Sequence, residues 1–131
     1  MRLLVDTHVW LWMLTAPDRL GASTSELVTD ERNVVLLSAA SSWEIAIKYR
    51  LGRLPLPEPP ERYVPERMRR SGVQGISIEH VHALAVATLP PHHRDPFDRL
   101  LIGQAKVEGL PIVSVDPQLA PYEVELIDAR R

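Results

Sequence analysis

The sequence predicts an α/β fold, a three-layer α/β/α sandwich built on a mostly parallel central sheet. Two patterns predict it. Three short apolar runs, RLLVD, NVVLLS and PIVSVD, are too brief for helices and rich in branched residues, as buried strands are. Longer stretches with helical spacing separate them, and apolar strands alternating with helices build parallel sheets covered on both faces. Length sets the scale: 131 residues are expected to form one domain, 1–131, with a core that needs no staples.

RLLVD, residues 2–6, is the first strand, followed by helices over 9–14 and 23–30. NVVLLS, residues 33–38, is the second and runs straight into a helix over 39–51. The Pro-rich LGRLPLPEPP, residues 51–60, reads as an irregular connection, too short to separate domains. Helices over 61–70 and 79–88 come next, with a short strand near 76–78 between them. Asp95 and Pro96 open a helix over 96–108, aspartate as N-cap and proline at the first helical position. PIVSVD, residues 111–116, and a piece near 124–127 complete the sheet. Neither an internal repeat nor a glycine-rich phosphate loop is found.

The absence of cysteine excludes disulfides, thiolate metal sites and a cysteine nucleophile, and suits a reducing cytoplasm. The first apolar run is far short of the ~20 residues that span a bilayer, so a soluble, intracellular protein is expected. A formal charge of −2 gives no overall attraction to nucleic acid, but the charge is unevenly spread. Lys48, Arg50, Arg53, Arg62, Arg67, Arg69 and Arg70 stand against Glu58, Glu61 and Glu66, a net of +4 that leaves −6 elsewhere. This is either a solvated helix face or a basic rim beside an acidic centre, suited to a polyanion.

The acidic centre is traceable. In HHRDPFDRLLIGQA, Asp95 is the cap, while Asp98 falls at the edge of the stripe formed by Phe97, Leu101 and Ala105 and so points partly inward. Asp6 ends the first strand and Asp116 ends IVSVD, and in a parallel sheet both emerge at one edge, where such sheets bind ligands. Glu44 lies at the rim of the apolar face of its helix. Each acid has a plainer role as well. Asp6 and Asp116 suit turn caps, and Glu44 suits an exposed pair with Lys48. Were the four to meet, two like charges ~4 Å apart would repel by about 4 kcal/mol at an effective dielectric of ~20, so some protonate or a cation sits among them. Oxygen ligands without cysteine select hard ions, Mg²⁺ or Mn²⁺, which polarise a phosphodiester and activate water.

LLVDTH, SAASSWEIAIKYRLGRL, HHRDPFDRLLIGQA and IVSVDP, in this order over nearly the whole chain, resemble the PIN domain and, more narrowly, VapC-type toxins of toxin–antitoxin pairs. The resemblance implies a metal-dependent endoribonuclease in which Asp6, Glu44, Asp98 and Asp116 bind Mg²⁺ or Mn²⁺, with hydroxyls from Thr7 and Ser114 nearby. It implies RNA as substrate, an antitoxin partner lying across the active groove, and a homodimer. His92, His93 and Arg94, just ahead of the cap, are candidates to meet substrate phosphate, although a tandem His pair also suits an exposed loop. His8 is a further candidate of the same kind. Trp10 and Trp12 suit the core, a dimer surface or an antitoxin contact.

Other classes fit less well. A haloacid-dehalogenase-like phosphatase wants a second aspartate two residues after the first, where His8 stands. A receiver-type domain wants an acidic pair ahead of its phosphorylated aspartate. A non-catalytic PIN-like module that binds RNA or protein is the alternative reading, and metal-dependent turnover separates it from a nuclease. Carboxylate–metal chemistry does not by itself need the 2′-OH, so DNA stays open as substrate.

Overall fold

The computed structural model describes residues 1–93 and 95–131. Five strands form one sheet: β1 (Arg2–Val5), β2 (Val34–Ser38), β3 (Gln74–Ile76), β4 (Ile112–Ser114) and β5 (Leu126–Asp128). Their order is β3-β2-β1-β4-β5, and every pairing is parallel. The helices are α1 (Thr7–Thr15), α2 (Ala22–Thr29), α3 (Ala39–Arg50), α4 (Pro60–Ser71), α5 (His80–Ala85) and α6 (Pro96–Glu108).

Strand side chains alternate between the two faces, which divides the core. Leu3, Val5, Val35, Leu37 and Val113 face one way, onto Val9 and Trp10 of α1, Ile45 of α3, and Tyr63 and Val64 of α4. Leu4, Leu36 and Ile112 face the other, onto Leu101, Ile102 and Ala105 of α6, with Leu119 and Tyr122. Leu3, Leu4, Val5, Ile112 and Val113 are wholly buried. At about 1.5–3 kcal/mol for each such side chain, the two central strands anchor both layers. The three-layer α/β/α sandwich expected from the sequence is the fold observed.

Three boundaries move. The strand expected at 76–78 forms instead at Gln74–Ile76, because Ile76 pairs with Ser38 and β2 turns into α3 at the next residue. The last strand sits at Leu126–Asp128, opposite the three residues of β4, rather than at 124–127. The helix expected over 79–88 breaks into α5 and a 3₁₀ turn at Val86–Thr88. α2 begins with the end of the chain laid across it: the N–H groups of Ser23 and Thr24 donate to the Arg131 carbonyl at 2.7 and 3.3 Å. Gly21 permits the approach, since a Cβ there would lie 1.9 Å from the Arg131 carbonyl carbon.

Candidate active site

The strand order fixes where a site can form. From β1 the chain steps to β2 and β3 on one side, then crosses to β4 and β5 on the other. Connections therefore diverge beyond the carboxyl ends of β1 and β4, leaving a crevice at the point where ligands bind in open α/β sheets. Asp6 directly follows β1. Asp116 follows β4 by two residues rather than closing it, since the strand ends at Ser114. α3 and α6 begin at the same edge and contribute Glu44 and Asp98. Asp6, Glu44, Asp98 and Asp116 line one cleft of about 360 Å³, together with His8, Trp12, Lys48, His93, Asp95 and Val115.

Caps and cleft are the same residues. Asp6 accepts the His8 N–H at 3.1 Å as N-cap of α1, while its other oxygen accepts the Ser114 hydroxyl at 2.6 Å. Burial alone would raise the Asp6 carboxyl, but the His8 imidazole, the Ser114 hydroxyl and the His8 N–H together outweigh it and hold it below its ordinary value. The Asp6 carboxylate, 3.9 Å from the His8 Nδ1, in turn raises the imidazole. Asp116 accepts the Gln118 N–H at 2.9 Å, capping the turn Pro117–Leu119, and its own N–H donates to Ser114 Oγ. Ser114 thus braces two of the acids. Asp95 caps α6, accepting from Phe97 N–H at 2.8 Å and Asp98 N–H at 3.3 Å.

Asp98 is the strained member. Burial first, then the charges of Asp6 and Asp95, push its carboxyl up to about 7, with His93 opposing and Glu44 adding to the rise. The His93 imidazole sits between two acids, its Nε2 lying 2.9 Å from Asp98 Oδ2 and 3.0 Å from Asp116 Oδ2. Its Nδ1 accepts the Asp95 N–H at 3.2 Å, which leaves Nε2 to carry the proton. His93, Asp98 and Asp116 bring one ligand atom each within 4.8 Å of one another. Glu44 is 4% exposed and pairs with Lys48; the sequence left open a surface pair or a member of the acidic set, and both side chains line the cleft. Burial would lower the Lys48 ammonium, yet Glu44, Asp95 and Asp98 raise it and keep it charged.

The remaining candidates scatter. Thr7 donates its hydroxyl to Ser41 Oγ at 2.8 Å, tying α1 to α3 rather than facing the acids. His92 is exposed and packs edge-on against Tyr122, with ring centroids 5.4 Å apart. Arg94 lies outside the described residues. Trp10 is wholly buried, whereas Trp12 lines the cleft beneath the Arg19 guanidinium, 5.3 Å from its ring. The sequence reading assigned His93 to substrate and missed its place among the acids. Its one sequence signal is its position on the loop that delivers Asp98.

The set is rich in carboxylate oxygen, with the His93 imidazole between two of the acids and His8 beside a third. Such donors suit a hard divalent cation, and the close approach of like charges is the physical demand for one.

The PIN domain family model matches residues 3–124. Over 59 residues the chain is 61% identical to Ribonuclease VapC16 of Mycobacterium tuberculosis (strain ATCC 25618 / H37Rv), a stretch that takes in 45% of this chain and 42% of that protein. The chain thus aligns with less than half the length of that relative. Among solved structures, it is similar to the VapBC2 crystal structure from Rickettsia felis bound to a promoter DNA fragment, with a TM-score of 0.73 and 13% identity over 97% of this chain and 98% of that one. A toxin–antitoxin complex from Klebsiella pneumoniae gives a TM-score of 0.61 and 14% identity over 97% of each chain. At these identities the structures speak to the fold.

Proposed function

The chain belongs to the PIN-domain family, and on that premise we propose that it is a metal-dependent endoribonuclease, the toxin of a VapBC-type pair. The observation that carries the reading is the meeting of Asp6, Glu44, Asp98 and Asp116 in one cleft at the switch point of the sheet. Four acids of which one is pushed to about 7 form a poor arrangement for stability alone and a good one for holding Mg²⁺ or Mn²⁺. The ribonuclease name of the VapC16 relative supports RNA as substrate. The toxin–antitoxin complexes among similar folds support a cognate antitoxin as partner.

In this reading Asp6, Asp98 and Asp116 hold the cation, and Glu44 completes the set from α3. The bound ion supplies positive charge at the phosphodiester and favours deprotonation of the attacking water. Ser114 keeps Asp6 and Asp116 in register, and Asp95 fixes the start of α6 so that Asp98 faces inward. Lys48 balances Glu44 and presents a cation to the incoming phosphate backbone. His93 bridges Asp98 and Asp116 through its proton and must yield those oxygens when the cation enters.

The same reading takes residues 1–131 as one nuclease domain. Exposed Val81 and Leu84 on α5 and Val107 on α6 support a homodimer. Among the described residues no helix is long and apolar enough to cross a membrane, and the likeness to the VapC16 ribonuclease supports a cytoplasmic enzyme.

The test is cleavage of total cellular RNA by purified, antitoxin-free protein with Mg²⁺ or Mn²⁺, beside EDTA and Asp98→Asn controls. Discrete fragments that vanish in both controls are expected. RNA left intact in every lane, with no metal binding by calorimetry, would replace the nuclease with a non-catalytic binding module.

A further inference from the structure

Trp43 occupies an unusual place. It is 55% exposed, the one aromatic among the exposed large apolar side chains of the described residues. It immediately precedes Glu44 on α3. Phe97 immediately precedes Asp98 on α6, and the two rings meet edge to face with centroids 5.0 Å apart and planes at 72°. The aromatic pair therefore bridges α3 and α6 one residue ahead of the acid that each helix gives to the cleft. An edge-to-face contact leaves ring surface uncovered, and Trp43 stays largely open to solvent.

An exposed tryptophan one residue from an acid of the cleft has the chemistry of a base-stacking platform. Sequence-tolerant recognition of single-stranded RNA works this way: the backbone follows the charged groove while unpaired bases stack on aromatic side chains. We propose that Trp43, packed against Phe97, stacks an unpaired base next to the phosphodiester bound at the acids. The proposal rests on the nuclease reading, and because every base has a π-face it confers strand selectivity rather than base selectivity. A second copy of the chain is the rival occupant of this surface. The step from aromatic to acid, repeated on both helices, favours the ligand of the cleft.

The test pairs side-chain changes with a change in the ligand. A labelled 12-nucleotide oligouridylate and an abasic ribose-phosphate chain of equal length are titrated by anisotropy, with Ca²⁺ replacing Mg²⁺ to slow hydrolysis. The wild type is expected to prefer the base-bearing chain by about 5- to 100-fold. Trp43→Phe should keep most of that preference. Trp43→Leu, apolar but unable to stack, should lose it without changing affinity for the abasic chain, and should raise KM for RNA cleavage with little change in kcat. Melting curves confirm that these surface variants fold. Retention of the wild-type preference by Trp43→Leu overturns the proposal while leaving the nuclease intact. Conversion of a dimer to a monomer by Trp43→Leu, with the preference unchanged, overturns it in favour of the second copy. A wild type that neither binds these chains nor cuts cellular RNA removes the nuclease reading and the platform with it.

Discussion

Replacing Asp98 with asparagine should stabilise the metal-free protein at pH 8, although it removes a residue from the candidate active site. In the native state its carboxyl is pushed up to about 7, while in the unfolded chain it titrates near ~3.9. A carboxyl raised by folding binds its proton more tightly in the native state. Its favourable contribution is complete below about pH 4 and is lost as the pH climbs through about 7. The gap of roughly three pH units corresponds to about 4 kcal/mol at about 1.36 kcal/mol per unit, and this is a ceiling. Asparagine carries no charge at any pH, so it should recover that energy at pH 8 and little at pH 4. For a chain of this length the ceiling is worth roughly 15 °C in Tm. Thermal melts by circular dichroism in EDTA at pH 4, 6 and 8 measure it directly. Added Mn²⁺ should reverse the ranking by stabilising the wild type alone. A variant that melts below the wild type at pH 8 in EDTA, or one stabilised equally at pH 4 and pH 8, would refute the reasoning.

The same proton predicts how metal affinity depends on pH. With one proton displaced from Asp98, apparent Mn²⁺ affinity by calorimetry should fall about tenfold per unit below pH 7 and level off above it, and the slope should be absent in Asp98→Asn. Far from the cleft, Gly21→Ala would set a Cβ 2.4 Å from the Arg130 carbonyl oxygen and closer still to Arg131. The backbone there must move, so urea denaturation should show a loss of about 1–3 kcal/mol with unchanged metal binding.

Much of the architecture was legible because its signals are periodic. Leu3, Leu4 and Val5, like Val35, Leu36 and Leu37, are packed on both sides of the sheet, and only a continuous apolar run serves that position. Asp98 was traceable by its angle on the helix, and Asp6 by the strand it follows. What escaped depends on partners distant in sequence. β3 slid to Gln74–Ile76 because β2 sets how far the ladder runs. Thr7, next to Asp6, turned its hydroxyl to Ser41, which no local pattern foretells. His93 lies on an aperiodic loop, and only the fold brings its ring between Asp98 and Asp116. Lys48 was visible as the partner of Glu44, but the pair's place inside the cleft was not.

The placement of β4 beside β1 bears on when the acidic cleft can first form as the chain is made. During synthesis β1, β2 and β3 emerge first, and one edge of β1 stays open until residues 112–114 arrive. A nascent chain that ends before them carries Asp6, Glu44 and Asp98 but lacks Asp116, and it lacks the Ser114 hydroxyl that holds Asp6. The cleft therefore closes only after most of the polypeptide has been made. Translation itself therefore delays assembly of the cleft until β4 docks against β1.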